Sequence, residues 1–242
     1  MVIGLLSSVP EEGKLLIRQL KKKSTVSGRQ YFEGKINDND IIYIISGMGK
    51  TNAAHAATIL LEQFSPDIVI LFGVGGAYPS SGLRVGDIAV AEKEVYGDEG
   101  VLTRDGFRDT GLIGIPLLMK GRKKYFNEFV LDKALVRKTL KAFYNAPSSL
   151  LSANRIKSGT FVTVSSCTGT RKRALELQKR FGAICENMEG AAAAHICTLY
   201  DTPLLEIRGI SNIVEDRDRS AWDIVLASEN CQKVLEKLLR NL

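Results

Sequence analysis

Long apolar runs alternate along this chain with segments in which apolar residues recur at helical spacing. The apolar runs predict buried strands at 2–6, 41–46, 67–77, 85–96, 156–165, 183–187 and 203–211. The helical spacing predicts helices at 11–23, 53–64, 127–144, 169–181, 190–200 and 221–241. Apolar strands separated by helices are typical of a sheet that is covered on both faces. The pattern therefore predicts one α/β domain over residues 1–242, with a central, mostly parallel or mixed twisted sheet flanked by helices.

Residues 97–126 interrupt this alternation, because turn residues occur throughout the segment and no hydrophobic period is present. We predict a long surface excursion here. Ordered loops of this length are often functional, and the segment is a candidate contributor to an interface between copies of the chain.

The charge balance adds little about partners. The chain of 242 residues has a formal net charge of +6, and a basic protein favours anionic partners. Its basic residues are nevertheless interleaved with acids, and the two basic runs, KKK at 21–23 and GRKK at 121–124, have no interleaved aromatic residues. We interpret both runs as solvated helix ends and predict no nucleic-acid partner.

Cysteine usage and apolar stretches exclude other classes of protein. The cysteines at 167, 185, 197 and 231 form no CxxC pair and only two histidines are present, so a zinc site lacks ligands. Reduced, mostly buried thiols explain them. The N-terminus resembles a first strand rather than a signal peptide, and no apolar run reaches the roughly 20 residues of a membrane span. We expect a cytoplasmic protein without a membrane partner, a metal or an organic cofactor.

Two glycine-rich stretches invite a nucleotide-binding interpretation. In SGMGKTNAA at 46–54, a phosphate-binding loop would need a glycine where Ile44 stands, so we predict only a tight strand-to-helix turn. FGVGGA at 72–77 lacks the dinucleotide spacing, which would need a glycine at Pro79 or Ser80. A sharp turn and a close approach of the backbone to a ligand both remain open for this second stretch.

Polar or glycine residues stand at the ends of several predicted strands. They are Glu12, Gly75, Gly76, Glu189, Ser211 and Asn212. The carboxyl ends of parallel strands meet at one edge of a sheet, where ligands bind, so we expect these residues to converge on a site. For Glu189 alone, a plain capping or dipole role at the N-terminus of the following helix would be the better interpretation.

The motifs around these residues resemble one enzyme family throughout the chain. GLLSSVPEEG, SGMGKTNAA, GVGGAYPSSGLRVGDIAV, NMEGAAAAH and EIRGISN are similar to the nucleoside phosphorylase and nucleosidase superfamily. Within it, NMEGAAAAH, LEIRGISNIVEDRDRSAW and YGDEGV most resemble the futalosine hydrolases of menaquinone biosynthesis. The resemblance implies hydrolysis of the N-glycosidic bond of a purine nucleoside, a small-molecule substrate and a homo-oligomer.

The resemblance also implies roles around the sugar. Glu12 matches the carboxylate that orients and deprotonates the attacking water. Glu189 matches the carboxylate that holds the ribose 2′- and 3′-hydroxyls through charge-assisted hydrogen bonds. Met188 matches a thioether against the sugar face, although ordinary core packing is the alternative for a methionine.

Further residues are expected to bind the substrate or to exclude phosphate. Backbone groups near Phe161 and Val162 correspond to those that recognise the purine edge, Gly76 lies where the family brings a loop close to the base, and Ser211 is expected beside them. Phosphorylases of the family hold phosphate with an arginine beside the glycine loop. FGVGGA has none, and Arg84 lies beyond it, so the resemblance implies hydrolysis rather than phosphorolysis.

Asn212 departs from the family pattern and carries the prediction of the leaving group. The adenine-specific nucleosidases of the family have an aspartic acid here. An amide has both a donor and an acceptor, so Asn212 can donate to O6 of a 6-oxopurine and accept from protonated N7. A carboxylate would place a second acceptor against O6, at a cost of about 1 to 3 kcal/mol. We therefore predict that hypoxanthine leaves and that futalosine is the substrate.

Other readings of the sequence stay open. A methylthioadenosine/S-adenosylhomocysteine or aminodeoxyfutalosine nucleosidase is the first alternative, followed by a purine nucleoside phosphorylase and a non-catalytic nucleoside-binding protein. Futalosine also carries a distal carboxylate, for which we expect a cation among Arg104, Arg108, Arg217 and Arg219. Ordinary surface ion pairs explain any one of these arginines equally well.

Overall fold

The computed structural model describes residues 1–26, 28–144 and 155–242, and within them it confirms the predicted α/β architecture. The strands are β1 (Val2–Ser7), β2 (Lys21–Ser24), β3 (Gln30–Ile36), β4 (Asn39–Ile45), β5 (Ile68–Ala77), β6 (Ile88–Tyr96), β7 (Gly100–Thr103), β8 (Gly106–Asp109), β9 (Leu118–Lys120), β10 (Lys123–Tyr125), β11 (Glu128–Val130), β12 (Ile156–Thr163), β13 (Ala183–Asn187) and β14 (Leu204–Ile213). The helices are α1 (Lys14–Ile17), α2 (Lys50–Phe64), α3 (Lys133–Tyr144), α4 (Arg171–Phe181), α5 (Gly190–Leu199) and α6 (Ile224–Leu239). Short 3-10 helices lie at Pro10–Gly13, Thr110–Leu112 and Arg219–Ala221.

The central sheet has ten strands and is mixed. Its order is β11-β6-β12-β13-β5-β1-β4-β3-β2, and β14 pairs with both β5 and β6. β1 lies parallel to β4 and β5, and β14 lies parallel to β5, whereas β13 runs antiparallel to β5. Because β14 joins β5 to β6, the strands β5, β13, β12, β6 and β14 form a closed ring. The open part of the sheet continues from β1 outward.

Alternating side chains of β1 show how the sheet is covered on both faces. Ile3 and Leu5 belong to the apolar cluster that includes α6, and Leu6 belongs to the cluster that includes α2 and α5. Successive residues of a strand point to opposite faces, so one apolar cluster lies on each side of the sheet. A Cβ on Gly4 would lie 2.6 Å from Leu60 Cδ2, and this glycine therefore lets α2 pack closely on β1. Among the described residues, no helix is long and apolar enough to cross a membrane.

The predicted helix at 11–23 is wrong beyond its first turns. The structure has the 3-10 turn Pro10–Gly13, the single α-helical turn of α1, and then β2, which pairs with β3. Lys21, Lys22 and Lys23 thus lie on an exposed edge strand and not at a helix end. Lysines on an edge strand oppose pairing with another chain. Long-range pairing with β3, which no local period indicates, decides the structure here.

The predicted excursion at 97–126 is ordered as two small hairpins, β7 with β8 and β9 with β10. The second basic run lies in and beside β10, so it is not a helix end either. The predicted helix at 127–144 is partly wrong, because residues 128–130 form β11 against the edge of β6 and the helix begins at Lys133. The tight turn predicted between β4 and α2 is confirmed.

Candidate active site

A cavity of about 360 Å³ opens where β1, β5, β13 and β14 approach their carboxyl ends. The structure brings six of the eight predicted site residues into its lining. They are Glu12, Gly76, Met188, Glu189, Ser211 and Asn212. The convergence expected from strand ends is therefore present in the fold, while the chemical role of each residue stays a prediction.

Glu12 lies in the 3-10 turn that follows β1 and is 3% exposed. Its Oε2 accepts a hydrogen bond from the Ser8 backbone N–H at 2.8 Å, and its Oε1 accepts one from the Val74 N–H at 2.8 Å. Burial raises the pKa of Glu12, against the opposing effects of Arg208 and of these N–H groups. A Cβ on Gly73 would lie 2.3 Å from Glu12 Oε1, so only glycine leaves room for this carboxylate.

Glu189 lies between β13 and α5 and is 4% exposed. Its side chain makes no capping hydrogen bond to α5, so the plain role at a helix N-terminus does not describe it. Instead Oε1 accepts from the Gly49 N–H at 2.9 Å, and Oε2 accepts from Arg208 Nη2 at 3.3 Å. The tight turn before α2 therefore holds this carboxylate through a backbone N–H.

Arg208 is the residue that the sequence interpretation missed. It lies within β14, is 1% exposed, and donates from Nε to Glu206, from Nη1 to the Val74 carbonyl and from Nη2 to Glu189. Burial lowers the pKa of Arg208, but Glu206, Glu189 and Glu12 together raise it, so the guanidinium stays charged. The signal in the sequence was an arginine inside the apolar run LLEIRGI, two residues after a glutamate on the same strand face.

Asn212 is half-buried at the far end of β14. Its Oδ1 accepts from the Ser211 hydroxyl at 2.8 Å, and its Nδ2 donates to the Ile213 carbonyl at 3.0 Å. An amide has two acceptor lone pairs and two N–H donors, so these bonds leave one of each. A Cβ on Gly76 would lie 2.6 Å from Val214 Cγ2 and 3.3 Å from Asn212 Nδ2, so a glycine at 76 keeps the space beside the amide open.

The mouth of the cavity is formed by sulfur-containing side chains and by an arginine and a tryptophan after β14. Met188 Sδ lies 3.2 Å from Cys167 Sγ. The Arg217 guanidinium lies over the Trp222 ring at 4.8 Å from its centre, and both residues line the cavity. Of the four arginines considered from the sequence, only Arg217 is in this lining.

Phe161 and Val162 do not reach the cavity. Both side chains are fully buried, and their positions in β12 are paired with β6 on one side and with β13 on the other. The chain meets the cavity further along, at Cys167 and Thr168. If backbone groups of this segment recognise the base, they belong to the loop after β12, since ladder pairing engages the two predicted positions.

Cations in and around the cavity are few. Arg208 and Arg217 line it, whereas Arg84 is exposed and outside the lining. In the part of the chain that the structure describes, no group of three or more His, Cys, Asp or Glu side chains is arranged to hold a metal ion.

Comparison with known proteins agrees with this architecture. A sequence model of the phosphorylase superfamily matches residues 2–241. The chain belongs to the phosphorylase superfamily. This match confirms the family that the motifs predicted.

Members of the superfamily with two different names are similar to this chain. A futalosine hydrolase from Thermus thermophilus is 31% identical over 198 residues, which cover 82% of this chain and 80% of that protein. A 5′-methylthioadenosine/S-adenosylhomocysteine nucleosidase from Oceanobacillus iheyensis is 28% identical over 247 residues and the full length of both. The structure of such a nucleosidase from S. pneumoniae, solved with a transition-state inhibitor, has a TM-score of 0.81 at 25% identity and covers 99% of each chain. The predicted fold and the class of N-glycosyl hydrolase are confirmed, and the particular nucleoside stays open.

Proposed function

We propose that this protein hydrolyses the N-glycosidic bond of futalosine and releases hypoxanthine and dehypoxanthine futalosine, a step of menaquinone biosynthesis. The observation that carries the proposal is the amide of Asn212, which lines the cavity with one donor and one acceptor unused. The donor matches O6 of a 6-oxopurine, and the acceptor matches the N7–H that forms when the leaving purine takes a proton from solvent water.

The buried carboxylates of Glu12 and Glu189 suit two different tasks in the hydrolytic step. Glu12 takes a proton from a water molecule that attacks C1′ of the ribose, and the electrons of the broken bond leave with the purine. The raised pKa of Glu12 makes it a better proton acceptor than an ordinary glutamate. Glu189 holds the ribose hydroxyls while positive charge develops on the sugar.

The charges around Glu12 favour water over phosphate as the nucleophile. Three buried glutamates, Glu12, Glu186 and Glu189, line the same cavity, and each nitrogen of the Arg208 guanidinium already donates to a protein acceptor. A phosphate dianion beside Glu12 would meet the negative charge of Glu12 and Glu189. Water carries no such penalty, so hydrolysis is the better match to this cavity.

Arg217 is the candidate for binding the distal carboxylate of futalosine. It lines the cavity, its own side chain is exposed, and its guanidinium lies against Trp222. An arginine can bind a carboxylate with two parallel hydrogen bonds, and an aromatic ring beneath it holds the guanidinium plane in place. This role differs from base recognition, because inosine has the same base and lacks the distal group.

One assay tests the proposal. Purified protein is incubated with futalosine, inosine and methylthioadenosine, each with and without phosphate, and the released base is identified. We expect hypoxanthine from futalosine, the highest kcat/KM for futalosine, and no dependence on phosphate. Adenine release from methylthioadenosine at a higher kcat/KM would overturn the choice of substrate. A requirement for phosphate would overturn hydrolysis.

The second candidate is a methylthioadenosine/S-adenosylhomocysteine nucleosidase, with aminodeoxyfutalosine as a further adenine nucleoside. The similarity to the Oceanobacillus iheyensis nucleosidase over the full length of both chains favours it. Asn212 disfavours it, because an amide whose oxygen accepts from N7–H would place its NH₂ donor against the 6-amino donor of adenine. The same assay separates the two candidates by the base released.

We also propose that the protein forms a homo-oligomer through the excursion at 97–126. The hairpins and the turns between them expose large apolar side chains, which single soluble chains rarely cluster on one segment. They are Leu102, Leu112, Ile113, Ile115 and Met119. Light scattering should give a mass that is a multiple of one chain, and replacement of Ile113 and Ile115 by serine should lower it. A monomer in the unaltered protein would contradict this proposal.

A further inference from the structure

Beneath Glu189 and Arg208 the structure buries two more carboxyl groups that the proposed chemistry does not use. Glu94 on β6 and Glu206 on β14 are both fully buried, and their carboxyl groups lie close enough for each to shift the pKa of the other. They occupy the part of the closed ring where α5 begins, because a Cβ on Gly190 would lie 2.1 Å from Glu94 Oε1 and 2.5 Å from Glu206 Oε2.

Three of the four carboxyl oxygens of Glu94 and Glu206 accept hydrogen bonds from other side chains. Glu94 Oε1 accepts from Asn187 Nδ2 at 2.6 Å, and Glu94 Oε2 accepts from Thr163 Oγ1 at 2.7 Å. Glu206 Oε1 accepts from Arg208 Nε at 2.8 Å. Among the described residues, Glu206 Oε2 is a buried oxygen with no N–H or hydroxyl donor of its own. Glu94 is the group that faces it.

Two ionised carboxylates that lie side by side in the interior repel each other, and Glu206 Oε2 has no other donor, so the arrangement favours one proton on the pair. Burial, and then the charge of Glu206, raise the pKa of Glu94 well above its usual range. Glu206 is the better site for the negative charge because it is the one that pairs with Arg208. A protonated Glu94 can donate to Glu206 Oε2 and still accept from Asn187 and Thr163.

We propose that Glu94 and Glu206 hold one proton between them and act together as positioning residues, which fix Arg208 and, through it, Glu189 at the cavity. The inference rests on the proposed function for the role of Glu189 in binding ribose. Arg208 donates to Glu206 from one edge and to Glu189 from another, so the orientation of the guanidinium sets the orientation of the ribose-binding carboxylate.

The charged groups around Glu94 and Glu206 explain why the pair keeps one proton. The charged or titratable neighbours are Arg208 on the same strand as Glu206, Glu189 before α5, Cys185 on β13 and Tyr96 on the same strand as Glu94. Arg208 is the positive group among these four. Loss of the shared proton would add a buried negative charge that no cation balances, and the arrangement of Arg208 would change. Activity should therefore fall at alkaline pH as the pair ionises.

A conservative and a disruptive substitution of Glu206 distinguish the loss of its hydrogen bonds from a mere change of side chain in the core. In Glu206→Gln, the amide oxygen can still accept from Arg208 Nε and the amide N–H can donate to an ionised Glu94, so the total charge is unchanged. We expect kcat/KM within about fivefold of the unaltered protein, since every hydrogen bond is retained. Glu206→Leu leaves Arg208 Nε unpartnered, and we expect a loss of about 10- to 100-fold. Glu92→Gln, on the same strand as Glu94 but exposed, is the control.

The decisive readout is infrared spectroscopy, which does not depend on any activity. At neutral pH the unaltered protein and Glu92→Gln should show the C=O band of a protonated carboxyl group that Glu206→Gln lacks, because Glu94 is ionised in that variant. The alkaline fall in kcat/KM should also disappear in Glu206→Gln. An identical band in the unaltered protein and in Glu206→Gln would overturn the shared proton, even if the substrate assay succeeds. The positioning role would be overturned if the infrared bands of the unaltered protein and Glu206→Gln differ as expected but Glu206→Leu has the same kcat/KM as the unaltered protein. Thermal unfolding shows whether Glu206→Leu is folded.

Discussion

The cavity has two regions with opposite physical character. Its floor is formed by Glu12, Glu189 and Arg208, which are at most 4% exposed. Each of these side chains is held by hydrogen bonds to other protein groups. Its rim, Arg217 and Trp222, belongs to the exposed segment after β14, where one ring contact holds the arginine. Buried charges are costly unless they are paired, so the floor has one arrangement.

We expect the buried floor to determine the rate of the chemical step and the exposed rim to determine which substrate binds. In the proposed function, the floor supplies the groups that hydrolysis needs, whereas Asn212 and Arg217 would contact the parts in which nucleosides differ. Substitutions in the floor should therefore lower kcat for every substrate. Substitutions at the rim should change KM for particular substrates.

The largest effect is expected at the floor, from Glu12→Gln. An amide cannot accept the proton of water, so kcat should fall by about 10²- to 10⁴-fold while KM changes little. Steady-state kinetics with futalosine measure this, and thermal unfolding shows whether the variant folds. A kcat within tenfold of the unaltered protein would mean that Glu12 is not the base.

A smaller loss is expected from Gly73→Ala, which leaves every charged group in place. The new Cβ would lie 2.3 Å from Glu12 Oε1 and must displace the carboxylate, so we expect kcat/KM to fall by about 100-fold. Gly82→Ala is the matched control, because Gly82 also has a positive φ, of +78°, and nothing lies within 4 Å of its Cβ position. Equal losses in the two variants would point to backbone strain rather than to Glu12.

At the rim, Arg217→Ala should raise KM for futalosine by about tenfold and leave kcat nearly unchanged, because one charge-assisted contact is lost. KM for inosine, which has no distal carboxylate, should not change. A parallel rise for inosine would place Arg217 at the base instead. Arg219→Ala, two residues along the same exposed segment, is the control.

The smallest effect is a shift of the pH profile. Burial raises the pKa of Glu12, and the carboxylate must be ionised to accept a proton, so kcat/KM should fall with decreasing pH while the pH is still above the ordinary glutamate value of 4.5. Initial rates across acidic pH, with circular dichroism at each value, measure this. An acid limb at or below 4.5 would contradict the raised pKa.

Much of the fold and two of the three floor residues could be predicted from the sequence. Apolar runs locate the inner strands because burial on both faces leaves a local signal. Glu12 and Glu189 stand at strand ends within specific motifs. The β2–β3 hairpin carries no such signal, since Lys21–Ser24 is exposed and pairs with residues further along the chain.

The missed site residues share one cause, which is that their roles depend on distant partners. Arg208 is explained only by Glu189 and Glu206, and the contact of Gly49 with Glu189 joins two turns far apart in sequence. Phe161 and Val162 were placed too early because the sequence does not show where β12 ends and the loop to the cavity begins. Strand ends are the least certain feature of such an interpretation.

The most direct test of the central claim is the ratio of kcat/KM for futalosine to kcat/KM for methylthioadenosine, measured in the unaltered protein and in Asn212→Asp. Asn212→Asp replaces the donor proposed to face O6 with an acceptor, so we expect a ratio well above one in the unaltered protein and a decrease of about 10- to 100-fold in the variant. A ratio that is the same in both proteins would contradict the claim that the amide at 212 selects the base.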